Sequence, residues 1–502
     1  MFVRQKKNAS GKVSVQIIDK SSGKYQVIHT VGCGVNEEEI LKLMEKGNQW
    51  IGQKTAAMEL DFTGEQRWVQ NVLDSIQSLD RVGYDLLLGP IFDEIGFNRI
   101  RDAIFRELVI ARVTFPKSKL KTTQFLYRYK NIAWDEDQLY RYLDKLYHTQ
   151  KELVQQISYE HTLRIMNHDI SVVFYDVTTL YFEIDQEDDL RKTGFSKEGK
   201  HQNPQIVLGL LVSKNGYPLA YEIFEGNKFE GHTMLPVIDR FKEKFHLEKL
   251  VVIADSGLLS RSNIDQLQEK GYEFIIGARI KNESSDNKRK ILSLNLGDGQ
   301  SEVIQKGDLK LIITHSDSRA KKDRYNREKG IRKLARRIRT GHLTKSDINN
   351  RGYNKFLQLK GDISVTLDQS RITEDSLWDG LKGYLTNARL PKNQIIESYQ
   401  ELWQIEKAFR IAKSDLKIRP VYHRLQRRIE AHICISFVAY KVYKELERQL
   451  KEKKASISAL QAIEIADNIH QITIAFNKGQ EQITKLLLIT EEQKYLARLC
   501  KF

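Results

Sequence analysis

The chain has 502 residues, with 81 Lys plus Arg against 66 Asp plus Glu and a formal net charge of +15. Such a length exceeds what one hydrophobic core usually serves, about 250–300 residues, so two or more domains are expected. The charge favours a polyanionic partner, nucleic acid above all. Only Cys33, Cys434 and Cys500 are present, with no Cys-x-x-Cys pair, which excludes a disulfide framework and a cysteine zinc site. No apolar run is long enough to span a bilayer, and Met1-Phe-Val-Arg-Gln-Lys-Lys7 lacks a signal-peptide core. A cytoplasmic protein without a membrane partner is expected. No Gly-x4-Gly-Lys-Ser/Thr loop occurs, so no nucleotide cofactor is expected either.

Residues 1–35 read as a small β-hairpin segment, with Val13–Ile18 and Tyr25–His29 alternating around Ser22-Gly23. Residues 36–166 turn helical. Ile100–Thr114 and Thr122–Tyr129 form candidate helices parted by Phe115-Pro116-Lys117, and Asp135 is a candidate N-cap. With Lys117, Lys119, Lys121, Arg128 and Lys130 between them, these helices suit a DNA-binding region, with a plain helical scaffold as the alternative.

From Ser171 the pattern becomes strand-rich. Ser171–Leu180 carries Asp176, and Ile206–Val212 and Leu219–Phe224 flank the hairpin cue Asn215-Gly216. His232–Lys244 reads as a helix, and Val251–Ala254 runs into Asp255 before the turn Ser256-Gly257. A helix, Asn263–Glu269, and a strand, Phe274–Ala278, come next. This order matches a ribonuclease-H-like mixed sheet with flanking helices, placed at 167–279 and 371–452. Residues 280–370 interrupt it as a β-rich basic insertion, in which Arg319–Arg339 holds 11 Lys or Arg against Asp323 and Glu328. Arg332, Lys333, Arg336 and Arg337 are its candidate phosphate contacts. Strand character resumes at Lys360–Leu367 and Gly383–Thr386. Ile429–Glu452 reads as a long helix, and 453–502 as a C-terminal helical segment. The histidines His201, His232, His423 and His432 are scattered without metal-ligand spacing, which suits structural or phosphate-facing roles.

Three acids stand out. Burying a lone carboxylate in a β-branched strand costs several kcal/mol unless something pairs with it. Asp176 sits in such a run and Asp255 ends another. Hard oxygen ligands select Mg²⁺ or Mn²⁺, and two such ions between carboxylates can cleave and rejoin phosphodiesters. Glu406 lies on an expected helix from Tyr399 to Lys413. At 100° per residue, Tyr399, Trp403, Glu406, Arg410 and Lys413 share a stripe about 80° wide. Ile405, Ala408, Phe409 and Ala412 gather on a separate, docking face. A phenol, an indole, a carboxylate and two cations on one stripe suit a phosphate-contacting surface.

At these residues the chain resembles the DDE transposases of bacterial insertion sequences, of the type with a β-rich insertion between the second and third carboxylates. Their motif is Tyr-x2-Arg-x3-Glu-x6-Lys. Tyr399, Glu406 and Lys413 match it in register, and Leu402 stands where the motif has Arg. Trp403, Phe409 and Arg410 fit a Trp-x-x-Glu-x-x-Phe-Arg variant of it. Asp176–Phe182, Gly226-Asn227, Asp255–Leu259 and Trp378–Asn387 extend the resemblance over roughly 170–440. It implies a transposase that binds inverted repeats at transposon ends and catalyses metal-dependent strand cleavage and strand transfer. Asp176, Asp255 and Glu406 would be catalytic and hold two Mg²⁺ or Mn²⁺ ions per site. Tyr399, Trp403, Arg410 and Lys413 would contact DNA. The implied partners are double-stranded transposon ends and target DNA, in a homodimeric synapse associated with a bacterial nucleoid. The alternatives are a nuclease of the same fold without strand transfer, or a domesticated DNA-binding protein. The retention of all three acids weighs against the last.

Overall fold

A computed structural model describes residues 1–502 apart from 22, 57–61, 185, 197, 198, 200, 259, 342, 344–346, 351, 361–363 and 477–480. The chain divides into two units. One comprises Met1–Asp80 with His470–Leu487, the other Arg81–Ile469 with Leu488–Phe502. The expected helical region 36–166 is therefore shared between them.

In the smaller unit the two expected N-terminal strands are present as Val13–Asp19 and Gln26–Gly34. They pair antiparallel, and a third strand, Phe2–Lys7, adds to the first. Helix Glu37–Ala56 packs on this sheet, where His29 and Trp50 stack at 5.3 Å. A second sheet joins Ile76–Arg81 to the hairpin of His470–Phe476 and Glu481–Leu487. These strands correct the expectation that residues 36–166 and the last fifty residues are helical throughout. Thr473, Ile474, Ile472 and Ile483 are β-branched, and their pairing across the hairpin overrides a polar composition that reads as helix.

The larger unit is built on an eight-stranded sheet. Its strands are β1 (Val172–Tyr181), β2 (Gln205–Ser213), β3 (Pro218–Glu225), β4 (Val251–Ala254), β5 (Glu273–Ala278), β6 (Ser301–Lys306), β7 (Leu309–His315) and β8 (Leu381–Thr386). They lie in the order β6-β7-β8-β5-β4-β1-β2-β3. The central pairs β1·β4 and β4·β5 are parallel, and the outer pairs are antiparallel. A large mixed α/β sheet is thus confirmed. The segment 280–370 differs from the expected β-rich insertion. Its strands β6 and β7 extend the main sheet, and its basic run is one 23-residue helix, Asp317–Arg339. The expected strand at Lys360–Leu367 is a hairpin of Leu357–Lys360 and Ser364–Leu367, with 361–363 outside the described residues.

The helices of this unit include α1 (Ala103–Thr114), α2 (Lys119–Lys130), α3 (Asp317–Arg339), α4 (Lys392–Gln400) and α5 (Trp403–Ser414). The predicted cap at Asp135 is present as a reciprocal capping box with Gln138.

Strand side chains alternate between faces. Val173, Tyr175 and Val177 of β1, Val252 and Ala254 of β4, and Phe274 and Ile276 of β5 join one core with Ile238 and Phe241. The intervening positions, Asp176, Asp255 and Gly277, therefore belong to the opposite face. Tyr384 of β8 pairs directly with Gly277, which sets Tyr384 and its second neighbour Lys382 on that face too.

Candidate active site

Asp176 and Asp255 are neighbours through strand register. β1 and β4 run parallel with Tyr175 opposite Ala254, and each aspartate is the next residue along its chain. Neighbouring strands lie about 4.8 Å apart, so the two carboxylates issue side by side from one face. Asp176 is half-buried and its Oδ1 accepts from the Val177 amide at 2.8 Å. Asp255 is exposed beyond the end of β4, and its Oδ1 accepts from the Ser256 amide at 2.7 Å. Leu259, the last residue of the Asp255 motif, lies outside the described residues.

The expected single helix from Tyr399 to Lys413 is two helices. α4 ends at Gln400 and α5 begins at Trp403. Between them Leu402, Gln404 and Ile405 each bond the carbonyl three residues back. That tighter turn changes the phase of the wheel. Tyr399 consequently leaves the stripe: it is 3% exposed, whereas Trp403 is 49% exposed. Trp403, Glu406 and Arg410 do share the exposed face of α5, and Lys413 is half-buried in its last turn. Ile405, Ala408, Phe409 and Ile411 are buried as α5 packs on β1 and β2. Ala412, expected on the buried face, is only half-buried. Leu402, in the motif's Arg position, is buried.

Tyr399 instead turns toward the sheet. Its hydroxyl lies 3.5 Å from Asp255 Oδ1, over Gly277, where an added Cβ would collide with that hydroxyl. Its ring packs against Tyr384 at 4.7 Å between centroids. Burial, with the nearby charges of Asp255 and Glu406, raises the Tyr399 pKa far above the ordinary phenol value, so it stays a neutral donor.

Sequence reasoning missed Lys382. Its ammonium stands 4.6 Å from the Tyr399 ring centroid and 5.5 Å from that of Tyr384. Burial and then Arg319 lower its pKa, while Asp255 and Glu406 oppose that shift. One cation thus senses both acids. The available signal was its place in Trp378–Asn387, but nothing in the spacing picks out one lysine.

Beside Asp255 a cavity of about 530 Å³ opens at Ser256. Arg279, Lys281, Arg319 and Lys382 contribute cations to its lining, and Trp378 and Tyr353 contribute rings. Arg327 also lines it but is held by Asp379 through two bonds of 2.5 and 2.6 Å. The basic helix α3 therefore meets this cavity through its first half. Arg332, Lys333, Arg336 and Arg337 lie in its second half and do not line it. Arg332, Lys333 and Arg336 are exposed, while Arg337 pairs with Asp347 at 3.0 Å.

Among the described residues, no three His, Cys, Asp or Glu side chains are grouped closely enough to hold one ion. The candidate donors are the carboxylates of Asp176 and Asp255, with Glu406 on the exposed face of α5. An open pair suits Mg²⁺, which commonly takes one or two carboxylates and completes its shell with water and substrate phosphate. Among the described residues, no helix is long and apolar enough to cross a membrane.

Residues 167–441 match a family described as "Transposase DDE domain". The chain is similar to the transposase for insertion sequence element IS231B of Bacillus thuringiensis subsp. berliner, 26% identical over 255 residues, covering 47% of this chain and 51% of that protein. It is likewise 26% identical over 259 residues to the IS231E transposase of B. thuringiensis subsp. finitimus, covering 47% and 51%. The chain thus spans about half the length of the curated relatives it matches. Among solved structures, a piggyBac transposase synaptic complex with hairpin DNA aligns with a TM-score of 0.38 at 9% identity, covering 77% of this chain and 79% of that one.

Proposed function

We propose, from the premise that this chain belongs to the transposase DDE domain family, that it is a DNA transposase of an insertion sequence. It cuts double-stranded DNA at transposon ends and joins those ends to target DNA. The observation that carries this reading is the parallel register of β1 and β4, in which Asp176 and Asp255 each follow directly on the paired residues Tyr175 and Ala254.

In this reading Asp176, Asp255 and, from α5, Glu406 would hold divalent ions, two Mg²⁺ or Mn²⁺ per site. Bound there, such ions lower the pKa of the attacking hydroxyl and stabilise the leaving oxygen. Tyr399 donates toward Asp255 and fixes its carboxylate. Lys382 offsets the charge of Asp255 and Glu406 before the substrate arrives, then turns to the scissile phosphate. Trp403, Arg410 and Lys413 contact the DNA along α5, while Arg332, Lys333 and Arg336 extend the phosphate track on α3. Arg337 is assigned to its pair with Asp347 instead. The finer fold is a ribonuclease-H-like core around β1, β4 and β5. Residues 36–166 supply DNA-binding surface, and a homodimer brings two ends together in the cytoplasm.

The test uses Asp176→Asn, Asp255→Asn and Glu406→Gln on DNA carrying the inverted repeats that flank the gene. Each should abolish Mg²⁺-dependent cleavage and leave DNA affinity within about twofold, because affinity comes mainly from phosphate contacts. Near-normal cleavage by any one variant removes that residue from the site. Cleavage without joining in a strand-transfer assay would favour a plain nuclease.

A further inference from the structure

Away from the carboxylates, helices α1 and α2 and the segment 417–432 enclose a second cavity, of about 420 Å³. Its lining is strongly cationic: Arg112, Lys117, Lys119, Lys121, Lys417 and Arg419, with His423 and His432 beside them. Among the described residues Glu136 is the one acid in the lining, and it accepts from the Tyr140 hydroxyl at 2.7 Å.

Two of these cations are buried. Lys119 and Arg112 are each 6% exposed. Among the described residues Arg112 reaches only neutral acceptors, the carbonyls of Leu416 and Lys417 and His432 Nδ1, each at 3.4 Å. Among the described residues the Lys119 ammonium has neither a carboxylate nor a hydrogen-bond acceptor. Burial pushes its pKa well below the ordinary lysine value, and the Arg112 charge pushes it further. The histidines respond in the same sense. His423 is lowered to about 3 by burial, Lys119 and Arg112, and His432 is lowered by burial, Arg112, His423 and Lys119. A bond of 3.0 Å links His432 Nε2 to the Ile418 carbonyl, which suits a neutral ring taking the Arg112 proton at Nδ1. The first turn of α2 lines the cavity through Ser118 and Lys119, adding the positive end of a 12-residue helix.

Buried charges in proteins are normally paired, because an uncompensated one is strongly destabilising. Here two buried cations, two neutralised imidazoles and a helix N-terminus share one cavity. We propose that this cavity binds a phosphate group, held by Lys119 and Arg112 with the α2 amides and the exposed Lys117 and Lys121 at its rim. That phosphate comes either from a DNA backbone or from a free phosphate-bearing molecule. The inference rests on the cavity's charge and is independent of the metal-site reading, so Asp176→Asn should leave it intact.

The test is thermal unfolding and calorimetry of the full chain with inorganic phosphate, against chloride at matched ionic strength. Wild-type protein should show a saturable rise in Tm and measurable binding. Lys119→Met should lose that response and unfold at a higher temperature than wild type in phosphate-free buffer, since a buried unpaired charge has been removed. Lys117→Ala/Lys121→Ala, at exposed positions, should fold normally and bind phosphate several-fold more weakly. For the source, duplex binding is titrated with salt. A slope reduced by about one in Lys119→Met identifies a DNA backbone phosphate. An unchanged slope with phosphate binding lost identifies a free phosphate compound. No saturable effect beyond chloride, or a full phosphate response in Lys119→Met, overturns the proposal.

Discussion

Tyr399 comes within 3.5 Å of Asp255 across a position, Gly277, that has no side chain to block it. Gly277 sits inside β5 opposite Tyr384, where a Cβ would meet the Tyr399 hydroxyl and lie 3.2 Å from the Ser256 amide nitrogen. The glycine is required here by close approach rather than by a turn. Removing the carboxylate's hydroxyl partner and filling the space are therefore coupled perturbations.

Gly277→Ala should destabilise the fold by about 1–3 kcal/mol through overpacking. In a Tyr399→Phe background the hydroxyl is gone, so the cost of Gly277→Ala should shrink. Urea midpoints of the four proteins in this cycle give the coupling. Equal costs in both backgrounds would mean that the Tyr399 hydroxyl does not fill this space.

Lys382 faces the two acids with a charge of its own. Lys382→Met should raise Mn²⁺ affinity in the absence of DNA by roughly threefold or more, the order expected from removing one nearby like charge. Cleavage of transposon-end DNA should fall in the same variant. Unchanged or weaker Mn²⁺ binding by calorimetry would place Lys382 outside the electrostatic neighbourhood of the site.

The second half of α3 offers a separable test of the phosphate track. Arg332→Ala/Lys333→Ala/Arg336→Ala should lower the slope of log affinity against log salt by about two to three. Its Tm should stay close to wild type, because all three side chains are exposed. A wild-type slope would make this run a solvated surface. Arg337→Ala should cost about 0–1 kcal/mol through its partly exposed pair with Asp347.

His161 makes stability pH-dependent. It is 2% exposed, and burial, with the Lys441 charge, lowers its pKa to about 3 from 6.5. Between those values the unfolded chain binds a proton that the folded chain does not. Stability is therefore fully present above pH 6.5 and falls as pH drops toward 3, by about 1.4 kcal/mol per pH unit for this group. Urea midpoints from pH 7 to 4.5 should show a shallower fall in His161→Gln than in wild type. Parallel profiles would indicate that His161 is already protonated in the folded chain.

Several features were legible because they are local. The apolar run Ser171–Leu180 and the run Val251–Asp255 suffice to place Asp176 within a strand and Asp255 at the end of another. Asp135 was likewise legible as an N-cap, whereas its reciprocal bond with Gln138 is seen only in the structure. The break before Trp403 was not legible, since no Pro or Gly marks it. It arises from packing Tyr399 inward and α5 onto β1 and β2. Lys130 shows the same limit: it reads as a DNA contact in sequence, yet it is held by Asp85 and Glu107.

The chain by itself determined side-chain chemistry and the face each residue takes within its own element, because strand and helix periods are set by neighbouring residues. The tertiary structure alone decided which faces meet. Asp176 stands beside Asp255 through the parallel pairing of β1 and β4, and Tyr399, Lys382 and Gly277 join them through β5, β8 and α4. The same holds for Lys119 and Arg112, enclosed by a segment some three hundred residues later in the chain. Long-range pairing of this kind is selected by the burial energy of the whole sheet and its helices, a sum that no local window contains.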